Sequence, residues 1–389
     1  MNNTSPIVNP KSWEIPDPKW VLGFFERRKR STNKVYHFAN KGEISPLQLY
    51  CYLKARFGNP NGLSMLARNP SSDNVIQWQY TIKAGDSLID FWGMNRQLEF
   101  TINTAQTFQS EDWQIVFAVL QSEFKEYRKE ISFITKSLEP WVLFVNPFNR
   151  LNKTVASLES RLKTLTITEP SPVRIQASKK DHQQYFKEYK RWLAQIDEGA
   201  LLGTSVRLIV PVFAESFINL LIFLLAKPDV KSNQRVYDNL LKDPIDVRVG
   251  GLHLHCDGFD KAIDAHAEEF KNFHTLMNSR NDFLHGNVNP EKLAFDTVYF
   301  DKVVPVFEDE RSLAERLFLS SLKFVEPATA LKDIQVARAF IEFTLQHISA
   351  EYRKSLQILM QDNTPGFRRD TKKVGNLFPN WIAEFYGMS

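Results

Sequence analysis

Residues 208–226 read LIVPVFAESFINLLIFLLA, and the way this stretch is taken decides the fold. It is long enough to cross a bilayer, for which about 20 apolar residues suffice. It also carries Pro211, Glu215, Ser216 and Asn219, and a carboxylate near the middle of an isolated span is expensive. The stretch is therefore read as the buried helix of a soluble helical bundle. Its rival is a membrane-associated helical protein that uses 208–226 as an anchor. On the bundle reading Glu215 needs a partner or a task, because a carboxylate inside an apolar helix is otherwise costly.

On both sides of this stretch the pattern is mostly helical. Residues 180–197, 204–226, 233–242, 257–285, 309–325 and 328–361 have helical spacing, and the last of these lacks Gly and Pro. Residues 292–307 (KLAFDTVYFDKVVPVF) are β-rich and interrupt the helices as a short hairpin insert. The stretch 167–174 (ITEPSPVR) holds two prolines and reads as a linker.

Before the linker the reading is mixed. Residues 46–57 have helical spacing, while 74–82 (NVIQWQYTI) and 97–103 (QLEFTIN) alternate as strands. Gly85-Asp86 and Gly93 read as turns. Ser110 opens a helix whose apolar positions run 113, 116, 117, 120, 124, 127 and 131. The fold expected is an α+β domain over 1–168, of sensing or substrate-selecting role, followed by a mainly α-helical domain over 175–389.

Composition agrees with two domains. The chain has 389 residues, 43% apolar and 24% charged, which excludes a disordered, collagen-like or coiled-coil protein. Its 49 Lys and Arg against 45 Asp and Glu give a net charge of +4, too weak for a uniformly basic protein but compatible with a local basic groove. Phe, at 30, outnumbers Gly, at 15, and favours helical packing. Cys51 and Cys256 are far apart, so a disulfide framework is not expected and a reduced cytoplasm is the simpler setting. The N-terminus has no basic stretch followed by an apolar one, as a signal peptide would.

Five of the eight histidines lie between 253 and 285. The apolar stripe of the helix there runs Phe259, Ile263, His266, Phe270, Phe273, Met277 and Leu284, and Arg280 falls on it. Asn281 and His285 are four apart on an adjacent face. Gly286 follows as a natural C′ residue, which puts His285 on the last turn, near the negative end of the helix.

The run Arg280-Asn281-Asp282-Phe283-Leu284-His285 resembles the R-x4-6-H motif of HEPN domains, including the polar residue that usually follows the Arg. The resemblance covers about residues 180–361. It implies a helical bundle, a metal-independent ribonuclease without cofactor, and a homodimer in which two copies of the motif face each other. It also implies a place in toxin–antitoxin, abortive-infection or other prokaryotic defence, with an antitoxin or phage-derived trigger. The β-rich insert departs from a minimal four-helix HEPN bundle.

The residue types suit that chemistry. RNA carries its own nucleophile, the 2′-OH. His285 can act as base or acid near neutral pH. Arg280 can grip phosphate bidentately, and Asn281 can orient a phosphate oxygen or the ribose. Glu215 is expected to orient Arg280, and Asp282 is a supporting candidate. The alternatives are structural: an Arg280–Glu215 ion pair, a His285 helix cap, a solvated Asn281 and a solvent-facing Asp282. A non-catalytic HEPN module for nucleotide or RNA binding and dimerisation is the functional counterpart.

Two further clusters stand out. His253, His255, Cys256 and Asp257 are zinc ligands by type, but their spacing has no second half and no metal site is assigned. The run Arg27, Arg28, Lys29, Arg30 to Lys34 is flanked by Phe24, Phe25, Tyr36 and Phe38, a mixture that suits single-stranded RNA. Further basic patches include Lys179-Lys180, Lys187, Lys190-Arg191, Arg368-Arg369 and Lys372-Lys373.

Overall fold

A computed structural model describes residues 5–28, 33–67, 75–95, 97–109, 111–171, 178–286, 288, 290–308, 316, 320 and 326–377. The chain forms two compact units. One holds the residues up to Val142 with Arg368–Lys372, and the other holds Leu143–Phe367.

In the first unit β1 (Trp13–Glu14), α1 (Pro18–Arg28), β2 (Lys34–Ala39) and α2 (Pro46–Phe57) precede a meander of β3 (Ile76–Ala84), β4 (Ser87–Met94) and β5 (Leu98–Thr104). The five strands form one sheet in the order β1-β3-β4-β5-β2, and every pairing is antiparallel. Gly85-Asp86 is the two-residue turn expected, since Ala84 pairs with Ser87. Gly93 is not a turn. It lies inside β4, a strand the alternation did not mark, and the Trp78 indole occupies the space of its missing side chain.

The stripe 113–131 is amphipathic as expected, but it breaks at Tyr127 into α3 (Asp112–Glu126) and α4 (Arg128–Ser137). Ser110 lies outside the described residues. Trp113, Val116, Phe117 and Leu120 bury against Tyr80, Phe91 and Phe100 of the sheet. These rings form a dense aromatic core, with Phe100 edge-on to Phe91 at 5.4 Å and to Phe117 at 5.6 Å.

After β6 (Trp141–Leu143) comes α5 (Pro147–Thr164), capped by Asn146. The boundary of the helical unit thus falls earlier than residue 168. Phe148, Val155 and Leu162 are too apolar for a solvated tail and bury in the second core. Phe148 stacks on Phe213 at 5.2 Å. Of the expected linker, 172–174 lie outside the described residues.

The two helices expected over 180–197 and 204–226 are one, α6 (Lys179–Leu225), of 47 residues. Ser178 and Asp181 close a capping box at its start. Gly199 and Gly203 disfavour helix locally, but they lie on the buried face with Ile196, Val206, Val210 and Phe217, so packing decides. Pro211 sits inside the helix. By length and composition α6 could cross a membrane; 56% of its most apolar window is buried within the protein.

α7 (Pro228–Ser232), α8 (Gln234–Lys242) and α9 (Ile245–His255) follow. The helix expected from 257 begins only at Glu268, as α10 (Glu268–Leu284). Its would-be first turns are diverted: Asp257 N–H donates to the Leu225 carbonyl and Asp260 N–H to that of His347. After α11 (Pro290–Leu293), the expected hairpin forms as β7 (Val298–Asp301) and β8 (Val304–Phe307). The helix expected over 309–325 lies, apart from Arg316 and Ser320, outside the described residues. The long C-terminal helix is split at His347–Ser349 into α12 (Pro327–Gln346) and α13 (Ala350–Gln361). β9 (Gly366–Arg368) and β10 (Val374–Gly375) join β6 in a small sheet of order β10-β9-β6.

The second core lies among α5, α6, α10 and α12. Phe273 of α10 stacks on Phe340 of α12 at 3.7 Å. The chain is therefore an antiparallel-sheet α+β region followed by a mostly helical one.

Candidate functional site

Burying one face of α10 fixes where its polar residues go. Phe270, Phe273, Leu276 and Met277 bury, and Arg280, a turn later, is carried to the edge of the same face, its side chain 19% exposed. There its Nη1 donates to Glu215 Oε2 at 3.1 Å. Its Nε and Nη2 donate to Asn281 Oδ1 at 3.3 and 3.1 Å. Three of the five guanidinium N–H groups are used, which leaves two for another acceptor. Leu284, placed on the stripe by spacing, is 58% exposed instead, because the buried contact ends before it.

Glu215 does not serve Arg280 alone. Its Oε1 accepts from Arg248 Nη2 of α9, and Arg248 Nη1 donates to Asn219 Oδ1 at 2.7 Å. Arg248 is buried, and its Nε has no hydrogen-bond partner among the described residues. Burial opposes ionisation of Glu215, but the two guanidiniums outweigh it and hold the carboxyl below the ordinary range. Two guanidiniums and one carboxylate leave one positive charge in excess.

His285 follows α10 and is exposed; its backbone N–H donates to the Asn281 carbonyl at 3.1 Å. Gly286 takes the left-handed conformation of a C′ residue, with φ 59°. The structure thus brings Arg280, Asn281 and Glu215 into direct contact and leaves His285 exposed at the helix end. The Asp282 side chain lies outside the described residues.

Arg248 is not singled out by the sequence, and Asn219 is noted there only as a polar residue within the apolar stretch. The signal for Arg248 was present: Ile245, Val249 and Leu252 recur at helical spacing, and Arg248 falls on that face as Arg280 does on its own.

The other clusters resolve differently. Arg27 and Arg28 close α1, with side chains outside the described residues, as are Lys29 and Arg30 entirely; Lys34 opens β2 and is exposed. The flanking rings do not face outward together. Phe24 is buried against Trp20 at 5.2 Å, and Tyr36 and Phe38 pack on the first core, because alternate residues of β2 point inward. His253 and His255 lie on the last turn of α9, a helix not expected from the spacing there. Cys256 is buried there, and burial pushes its thiol up to about 12. Among the described residues no cluster of three or more His, Cys, Asp and Glu is placed to hold a metal ion.

Comparison of the chain with protein-family models, curated proteins and solved structures finds no match.

Proposed function

We propose that the chain is a metal-independent endoribonuclease of HEPN type, with Arg280, Asn281 and His285 as its reacting set. The observation that carries the reading is the Arg280 guanidinium, held between Glu215 and Asn281 with two N–H groups to spare, five residues before an exposed His285. A net positive charge at a partly buried point is what a phosphorane needs. His285 takes the 2′-OH proton, the 2′-oxygen attacks the adjacent phosphorus, and the bond to the 5′-oxygen breaks. A second histidine, from a second copy of the chain, protonates that leaving oxygen. The products are a 2′,3′-cyclic phosphate and a 5′-hydroxyl. Glu215 positions Arg280 and takes no proton. The resemblance supplies the setting: a cytoplasmic homodimer acting in antiphage defence or toxin-like growth arrest, released by an antitoxin or phage-derived trigger.

The test compares wild type with His285→Ala on RNA in EDTA. Cleavage by wild type alone, with cyclic phosphate ends, is expected; equal cleavage by both overturns the reading. A second reading rests on the same ion pair, which turns part of Arg280 inward. In it the module binds RNA or nucleotide and dimerises without chemistry. It requires that His285→Ala leave growth toxicity unchanged while Arg280→Ala weakens the fold or the dimer.

A further inference from the structure

The outward face of α5 repeats Arg150, Lys153, Ser157 and Arg161 at steps of three or four, so these side chains share one side of the helix. With Asn363 and Thr364 opposite, that side lines a groove of about 600 Å³. Three of its lining residues are cations and none is a carboxylate. Arg161 shares its charge with Glu198 at 2.8 Å, while Arg150 and Lys153 are exposed and make no ion pair among the described residues. The nearest acids in sequence are Glu159, which is paired with Lys163 and Arg338, and Asp362, which is buried and whose carboxyl burial pushes up. The groove therefore presents positive charge that nothing within it offsets.

The spacing of these cations selects the ligand. Arg150 and Arg161 are eleven residues apart, about 16 Å along the helix. That length spans several phosphates of a nucleic-acid strand. A lone phosphate would engage one end only, whereas a strand engages all three cations. Hydroxyl and amide groups at Thr154, Ser157 and Asn363, beside the apolar Leu158, suit 2′-hydroxyls and unpaired bases. Phe148 of the same helix packs on Phe213 and Phe217, which flank Glu215 in α6, so the groove and the Arg280 cluster belong to one packed unit.

We propose that this groove is a binding surface for the sugar–phosphate strand of single-stranded RNA, and that it holds the substrate of the Arg280–His285 site. The inference takes RNA as ligand from the function proposed above. Its test uses the full chain and a 2′-O-methyl RNA 20-mer, which cannot be cleaved, so binding is read apart from chemistry. Arg150→Glu combined with Lys153→Glu is expected to weaken binding at least tenfold at low salt. The slope of log K against log salt should fall by about 1.4, at about 0.7 per lost contact. Lys11→Glu with Lys41→Glu, exposed cations of the first unit, should change neither by as much.

Unchanged affinity and slope in the groove variant, with an unchanged melting temperature, overturn the proposal. So does equal loss of affinity for duplex RNA or for inorganic polyphosphate, which would make the groove a general polyanion surface. If the groove variant cleaves RNA with wild-type KM, the groove fails and the ribonuclease reading stands. If the groove binds RNA as described and no RNA is cleaved, the ribonuclease reading fails alone.

Discussion

Arg280 and Glu215, 65 residues apart in sequence, meet at 3.1 Å, and the same carboxylate is gripped from its other oxygen by Arg248. The two arginines are not equivalent. Arg248 has a side chain 7% exposed and is spent on Glu215 and Asn219, whereas Arg280 keeps 19% exposure and spare donors.

That difference separates folding from function. Arg248→Ala leaves Glu215 only its part-exposed partner Arg280, strands Asn219, and should cost about 3 kcal/mol, in the range for breaking a buried pair. Arg280→Ala leaves Glu215 its other partner and should cost about 1 kcal/mol, nearer to a part-exposed pair. Urea unfolding of both variants checks the order. On the proposed function, Arg280→Ala loses RNA cleavage despite the smaller loss of stability.

Glu215→Gln leaves two guanidiniums around a neutral amide. A destabilisation of about 2 kcal/mol is expected at pH 7, discounted from the fully buried case because the Glu215 side chain is 24% exposed. The carboxyl is held below its ordinary range, so its contribution is present above the unfolded value of about 4.3 and is lost as pH falls through the lower folded value. Wild type and variant should therefore converge in stability only once pH falls below that lowered folded value. Melting temperatures from pH 3 to 7 give the comparison.

Asp90 behaves in the opposite sense. Burial raises its pKa, and hydrogen bonds from Thr81 and Gln79 only partly offset this. A raised folded value means stability that is full below the unfolded value of about 3.9 and is lost as pH rises through the folded one. Asp90→Asn keeps an oxygen to accept from Thr81 and Gln79 and removes the charge. The variant should be more stable than wild type at pH 7 and equal to it near pH 3, as differential scanning calorimetry would read.

Both cysteines are buried, Cys51 at 0% and Cys256 at 2% exposure, and the Cys256 thiol is pushed up to about 12. The native chain should give no colour with a thiol reagent at pH 8, and two thiols should react in guanidinium. Rapid labelling of Cys256 in the native state would contradict its burial at the end of α9.

Much of this architecture is legible in the residues. Alternation marked β3 and β5, and helical spacing marked α2 and the face 113–131, because apolar residues recur at each element's own period, although β3 buries both faces from Gln79 to Ile82. Arg280 was legible as a cation on an apolar stripe, and Glu215 as its partner. What escaped depends on long-range packing. The gap left between helices expected over 180–197 and 204–226 holds Gly199 and Gly203, both buried, and closes into one helix. The segment DVRVGGLHLH, with two valines and two glycines, scores poorly as a helix, and with it went Arg248. The aromatics around 27–34 are also a local pattern with a non-local outcome: the strand they adjoin turns Tyr36 and Phe38 into a core built by residues 80–117.

Pro211 gives α6 a mechanical character. A helix of 47 residues is a rod about 70 Å long. Proline has no N–H, so the Arg207 carbonyl lacks its usual bond from four residues on, and the ladder is open there. Rods flex where they are weakest. In α6 that gap lies one turn before Glu215, so a bend there would move the carboxylate that Arg280 and Arg248 share.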